Sequence, residues 1–421
     1  MIVRKIVPLA LGILWSAGVV RAEAAGPVDE EPVPHLELEM TGRDYLPLVE
    51  HVLDGKADDT LKIVLDTGKR NLSWLDLINQ SRDPADRLQL STAGTQVGVP
   101  IEQPGTSSRS IVLSQWNTEL AALPVDMKKI LIDGNPLTTV PPVSDQDFLT
   151  HARLLDRIYQ RASRWLLQEP SLDSYAARSY MDVRGFYFLN RESDLEAKLR
   201  GWNSLAAADR VRLQGWLVSL CTNSRATASV CDSRLNGSLS RDGHTWNFYT
   251  QNRAAGQAMW DSFFKIPITR SDVAWTAANP NAFHIPFLDP NRPEVMAWLR
   301  DNIQDEWRWQ SWQLLLDFKS TGDDTMTHIT FQEGATPHVN RIAGSEITMD
   351  GNRNLQEYSS RWTIRHEYGH VLGFPDCYIE FYDQSASVMV NYQLDTTNLM
   401  CSRAGHLQQQ HVDELRRVYF H

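Results

Sequence analysis

The sequence has few cysteines, no excess of positive charge and no apolar run long enough to span a bilayer, and each shortage removes a class of function. Lysine and arginine are outnumbered by acidic residues, leaving a formal net charge of -11. No global basic field therefore exists to draw in a phosphate backbone or an anionic lipid surface, and nucleic acid is excluded as the expected partner. The apolar run from Ile6 to Val20 falls short of the ~20 residues of a spanning helix, and no cysteine follows it to take a lipid anchor. Internal repeats and low-complexity tracts are missing too.

What is present at the N-terminus fits an export signal. Arg4 and Lys5 precede that apolar run, and Ala22-Glu23-Ala24 follows it. These features predict a signal peptide over residues 1–24, cleavage after Ala24 or Ala25, and a secreted or periplasmic protein of bacterial type with no stable membrane anchor. Cys221, Cys231, Cys377 and Cys401 would then meet an oxidising compartment as an even set. Short loops close at low entropic cost, so the expected pairing is Cys221 with Cys231 and Cys377 with Cys401.

A length of 421 residues implies roughly two to three domains. After a Pro-rich, acidic linker at 26–35, residues 25–142 read as a β-rich domain, because short alternating runs such as Leu61–Leu65 and Ser110–Leu113 lie between Gly, Pro, Asn and Asp clusters. From 143 to 269 the apolar spacing turns helical, as in Phe148, Leu154, Leu155, Ile158 and Trp165, with an exposed connection expected at Cys231–Gly243. Residues 270–421 read as an α+β domain. A strand at Phe283–Leu288 leads into a helix through about Trp309. Strands follow at Gln313–Phe318, Met326–Gln332, His338–Ile342 and Glu346–Met349, then a second helix at about Ser359–Leu372.

That last helix carries the chemistry. His366 and His370 are four residues apart and so share a helix face one turn apart, where two imidazoles reach one ion. Zinc suits imidazole and carboxylate donors, and three protein ligands leave one position for water. Glu367 stands beside the first histidine as the expected general base. Gly373 permits the left-handed bend that returns the chain, so that Asp376 becomes the expected third ligand. The five-residue motif alone arises by chance in about one chain in fifty of this size and the longer one in about one in ten thousand, so the longer one carries the argument.

The string His366-Glu367-Tyr368-Gly369-His370-Val371-Leu372-Gly373-Phe374-Pro375-Asp376-Cys377-Tyr378 resembles the zinc motif of the metzincin metallopeptidases in its aspartate-ligand form, as in snapalysins. The resemblance covers about residues 270–421. It implies a zinc endopeptidase acting on protein or peptide, an edge strand that binds extended substrate, for which His338–Ile342 is the candidate, and a methionine turn beneath the metal. Met400 and Met389 are the two candidates for that turn. Met400 is favoured because Cys401 would tie it to Cys377 and a C-terminal helix follows. Tyr378, Tyr382 and Tyr392 are candidate oxyanion donors, though packing is the default role of each.

Four competing readings are weighed against this one. If Asp376 were an ordinary loop carboxylate or a helix cap, His406 or a residue outside the motif would have to complete the site. Cys377 as a thiolate ligand conflicts with its expected disulfide. Asp66-Thr67-Gly68 resembles an aspartic-protease triplet, yet it has no second copy and Lys69 follows it, so a homodimer would have to supply the missing half. The remaining alternative is a secreted binding or adhesion protein whose C-terminal domain zinc merely stabilises; a base beside the first histidine has no use there. The 25–142 region is open between prosegment, recruiting domain and folding aid. A thiolate-switch prosegment would need Cys221, since no earlier cysteine exists.

Overall fold

A computed structural model describes residues 42–52, 59–90, 99–237, 243–273, 275–323 and 325–421. The expected signal peptide and the linker at 26–35 lie outside the described residues. Among the described residues no helix is long and apolar enough to cross a membrane.

The first region corrects the β-rich expectation for 25–142. Among the described residues it is built from helices α1 (Gly42–Val52), α2 (Asp59–Gln80), α3 (Arg109–Ala122) and α4 (Val125–Leu131), with one strand, β1 (Gly105–Ser107). Leu61–Leu65 lies inside α2 and Ser110–Leu113 inside α3. The physical reason is that Leu61, Val64, Leu65, Leu72, Leu75 and Ile78 are all buried, a 3.6-residue stripe that a five-residue window cannot separate from alternation. The Asp66-Thr67-Gly68 triplet is also interior to α2, not a strand end with a turn. One core joins these helices to the long α5 (Asp145–Gln168), so the expected boundary near 142 falls within a packed unit.

The helical expectation for 143–269 holds. After α5 come α6 (Leu172–Ala177), α7 (Arg184–Arg191), α8 (Leu195–Arg200), α9 (Ala207–Thr222), α10 (Ala228–Asn236) and α11 (His244–Ser262). Cys231 sits within α10, so the expected open connection is shorter than 231–243, and its disulfide to Cys221 ties α10 to the end of α9.

The C-terminal region is α+β with small mixed sheets. β2 (Ala282–Leu288) runs parallel to β4 (Trp312–Lys319), and β3 (Arg308–Trp309) pairs antiparallel with β4. β5 (His328–Gln332) runs parallel to β7 (Glu346–Asp350), whose other side carries the antiparallel β6 (His338–Val339). A bridge between Phe287 and Thr327 joins the two sheets. The helix opened by Pro293 is α12 (Pro293–Leu299); it widens into a π-type turn at Arg300–Gln304 and stops short of Trp309, which is already in β3. The helix that carries His366 and His370 is α13 (Tyr358–Val371). A third sheet has the order β1, β9 (Val388–Gln393), β8 (Tyr378–Asp383), all antiparallel, and α14 (Gln409–Tyr419) closes the chain. A strand from the first region thus completes the sheet that follows Asp376. Ile101, Val183 and Tyr187 likewise enter the C-terminal core.

Candidate metal centre

Helix α13 ends because Gly373 takes φ +97°, a backbone state that a side chain disfavours. The amide of Gly373 donates to the carbonyl of His370 at 3.0 Å and that of Phe374 to the carbonyl of Gly369 at 3.0 Å, the paired bonds of a Schellman end. A β-carbon on Gly373 would also run into the carbonyl oxygen of Ile268. The bend sends Asp376 back along the helix face, as its spacing predicts.

There the carboxylate meets both histidines. Oδ1 of Asp376 lies 3.1 Å from Nε2 of His366 and 3.2 Å from Nε2 of His370. Donors about 2.1 Å from a shared tetrahedral ion are about 3.4 Å apart, so the three atoms are nearly spaced to hold one. Among the described residues this is the group of histidine, cysteine, aspartate and glutamate side chains that can hold a metal ion. The far side of each ring is also fixed: Nδ1 of His366 donates to the carbonyl of Leu399 at 2.8 Å and Nδ1 of His370 to that of Phe374 at 2.8 Å. Those bonds assign the proton to Nδ1 in the neutral rings and leave both Nε2 lone pairs facing Asp376.

The site is dry. His366 is 3% exposed, Glu367 1% and His370 7%; only Asp376, a quarter exposed, opens toward solvent. Burial works to raise the Asp376 carboxyl, but the two imidazoles outweigh it and hold the group well below the usual carboxylate range. Burial likewise works to lower His370, and the Asp376 charge overcomes it and pushes the ring up to about 9. The three side chains attract one another as a cation replacing the imidazole protons would attract them. Glu367 is close enough to bear electrostatically on both histidines and on Tyr378.

Two supports for the group were expected. Cys377 is bonded to Cys401 and Cys221 to Cys231, as loop length predicts, which removes Cys377 as a thiolate ligand. Met400 is buried against Gly369 of α13, whereas Met389 packs away with Trp165 and Tyr175. The fallback ligand His406 is 71% exposed and bonds Glu306 instead.

Other supports were not legible. Tyr378 lies close enough to feel the charges of Asp376, Glu367 and Glu380, which reinforce burial in raising its pKa well above the usual phenol value. Of the three tyrosines weighed, only this one faces the group: Tyr392 donates to Asp182 at 2.8 Å and Tyr382 packs beside Met389. Its position two residues after Asp376 was the available signal. Trp307 donates from its indole to the carbonyl of Arg365 at 3.1 Å, and neutral His411 bonds Asn398, whose side chain accepts from the Met400 amide at 2.8 Å. Nothing in the spacing of these residues announces such roles.

Comparison with known proteins adds no relative: no family model matches the chain, and neither a curated protein nor a solved structure does.

Proposed function

We propose that this chain is an exported zinc endopeptidase of metzincin type, with His366, His370 and Asp376 as ligands and Glu367 as the catalytic base. The observation that carries the reading is the convergence of two Nε2 atoms on one carboxylate oxygen, at 3.1 and 3.2 Å, with a buried glutamate beside the first histidine. Imidazole and carboxylate together favour zinc over a hard cation such as calcium, and three ligands leave a position free for catalysis. When bound, zinc lowers the pKa of water beside it and polarises a peptide carbonyl.

Glu367 then accepts a proton from the attacking water as the carbon–oxygen bond forms. The same carboxyl delivers that proton to the amide nitrogen as the carbon–nitrogen bond breaks, releasing a carboxylate and an amine. The imidazoles of His370 and His366 hold Asp376 in the ionised form a ligand needs. Extended substrate would pair its backbone with β6, the outermost strand of its sheet. This strand is shorter than the expected His338–Ile342, at His338–Val339. The export reading is supported by the N-terminal pattern of residues 1–24 and by two disulfides.

The test uses purified full-length protein, metal analysis and a broad peptide-library digest. One zinc per chain is expected, with cleavage that a chelator abolishes and zinc restores. Glu367→Gln should keep the zinc and lose roughly 10²–10⁴ of the rate. Zinc binding with no cleavage of any peptide would instead assign the C-terminal region a structural metal and the chain a binding role.

A further inference from the structure

Tyr378 and Glu380 are two residues apart on β8, so their side chains leave the same face of the strand. Tyr378 opens β8 and follows the proposed ligand Asp376 by two residues. Glu380 is gripped from the N-terminal helices: Nε of Arg164 donates to its Oε1 at 2.7 Å and Nε2 of Gln168 to the same oxygen at 2.9 Å. Arg164 and Gln168 stand one turn apart on α5, so one helix face makes both bonds. Arg164 also donates from Nη1 to the hydroxyl of Tyr45 on α1 at 3.1 Å.

Side chains of Arg164 and Glu380 are 9% and 8% exposed. A buried ion pair is a poor source of stability, since well-packed apolar residues of the same volume often serve as well or better. What a guanidinium supplies that an apolar side chain does not is direction, through donors fixed in a plane. Here that direction is imposed on the strand face that leads to the metal ligand. On the other side of the same sheet, β1 pairs with β9 and the Gln393 amide donates to the carbonyl of Val99 at 2.6 Å, so residues from the N-terminal half hold the hairpin from both flanks.

We propose that Arg164 is a positioning residue for the metal centre: by clamping Glu380 it fixes the start of β8, whose first residue, Tyr378, follows Asp376 by two. This rests on the zinc reading above and makes the N-terminal helices part of the working unit and not a cover to be shed.

The experiment compares full-length wild type, Arg164→Lys and the double variant Arg164→Met/Glu380→Met. The double change leaves no charge buried without a partner. Zinc affinity is measured by chelator competition, site geometry by the visible spectrum of the cobalt(II) form, and folding by thermal melting without metal. The double variant should melt near wild type, bind zinc roughly tenfold more weakly and show a shifted cobalt spectrum. Arg164→Lys, which keeps the charge but not the planar donors, should weaken zinc roughly threefold, less than the roughly 10–100-fold of losing an outer-shell partner outright. Wild-type zinc affinity and cobalt spectrum in the double variant would overturn the proposal; should that variant not fold, wild-type affinity in Arg164→Lys overturns it alone. Wild type that binds no zinc would overturn the metal reading itself, a different result from a bound metal indifferent to Arg164.

Discussion

The sulfur of Met400 lies against the α-carbon of Gly369, the residue immediately before ligand His370, so closely that a β-carbon there would overlap it. An exposed helix interior would gain up to about 1 kcal/mol from alanine in place of glycine. Here the neighbour is a buried side chain whose backbone amide is held by Asn398, and overpacking of that kind costs about 1–3 kcal/mol. Gly369→Ala is therefore expected to lower the melting temperature and weaken zinc binding, and adding Met400→Ala should recover much of the melting temperature. A single Gly369→Ala variant as stable as wild type would show that Met400 does not support the helix at this point.

Tyr378→Phe removes one hydroxyl and almost no volume. The hydroxyl lies near the carboxylate of Asp376, and the loss of an outer-shell partner costs roughly 10–100-fold in metal affinity or activity. The expected result is weaker zinc in chelator competition with little change in melting of the metal-free protein. Tyr392→Phe serves as the control, since that hydroxyl bonds Asp182 and the amide of Val183 instead, and it should leave zinc affinity unchanged.

The ligands were legible because their geometry is local. Four residues on a helix fix the separation of His366 and His370, and a glycine at a helix end fixes the reversal that brings Asp376 back. Strands β2, β4, β5 and β7 were legible for a similar reason, each being a short apolar run between turn residues. The 25–142 region was misread because Leu61–Leu65 satisfies both periods, and only the continuation through Leu72, Leu75 and Ile78 separates them. Arg164 and Glu380 are 216 residues apart, and the acceptors for the two histidines are main-chain carbonyls, which every residue possesses; neither leaves a trace in composition or spacing.

Both disulfides close short loops, with separations of 10 and 24 residues, and removing either should cost roughly 3 kcal/mol on loop entropy alone. Their effects on the metal should differ. Cys377 follows Asp376 directly and Cys401 follows Met400, and the Cys377 amide donates to the Met400 carbonyl at 3.1 Å. Replacing Cys377 and Cys401 by serine should weaken zinc as well as stability, whereas replacing Cys221 and Cys231 should affect stability alone. Equal zinc affinity in both double variants would detach the 377–401 bond from the metal centre.

His411 provides a pH dependence. Its ring packs edge-on to Phe374, donates from Nε2 to Asn398 at 2.9 Å and accepts the Gln408 amide at Nδ1. Burial pushes its pKa down to about 4, against a partial upward pull from the charge of Asp395. Above the unfolded value of about 6.5 both states are neutral and the group has no pH effect. As pH falls from 6.5 toward 4 the unfolded chain takes up a proton that the folded ring refuses, so stability is lost through that window, up to about 3 kcal/mol. Asp156, raised to about 6 by burial, acts in the opposite sense: its contribution is full below about 3.8 and is lost as pH rises through 6. Wild type must therefore be compared with a His411 variant and not read alone. His411→Gln should be less stable than wild type at pH 7.5, because it strains the bonds to Asn398 and Gln408, and the gap between them in urea unfolding should narrow toward pH 4.5. A gap constant over that range would mean that the ring titrates normally, and with it that Asn398 and the Met400 turn are not held by a neutral imidazole.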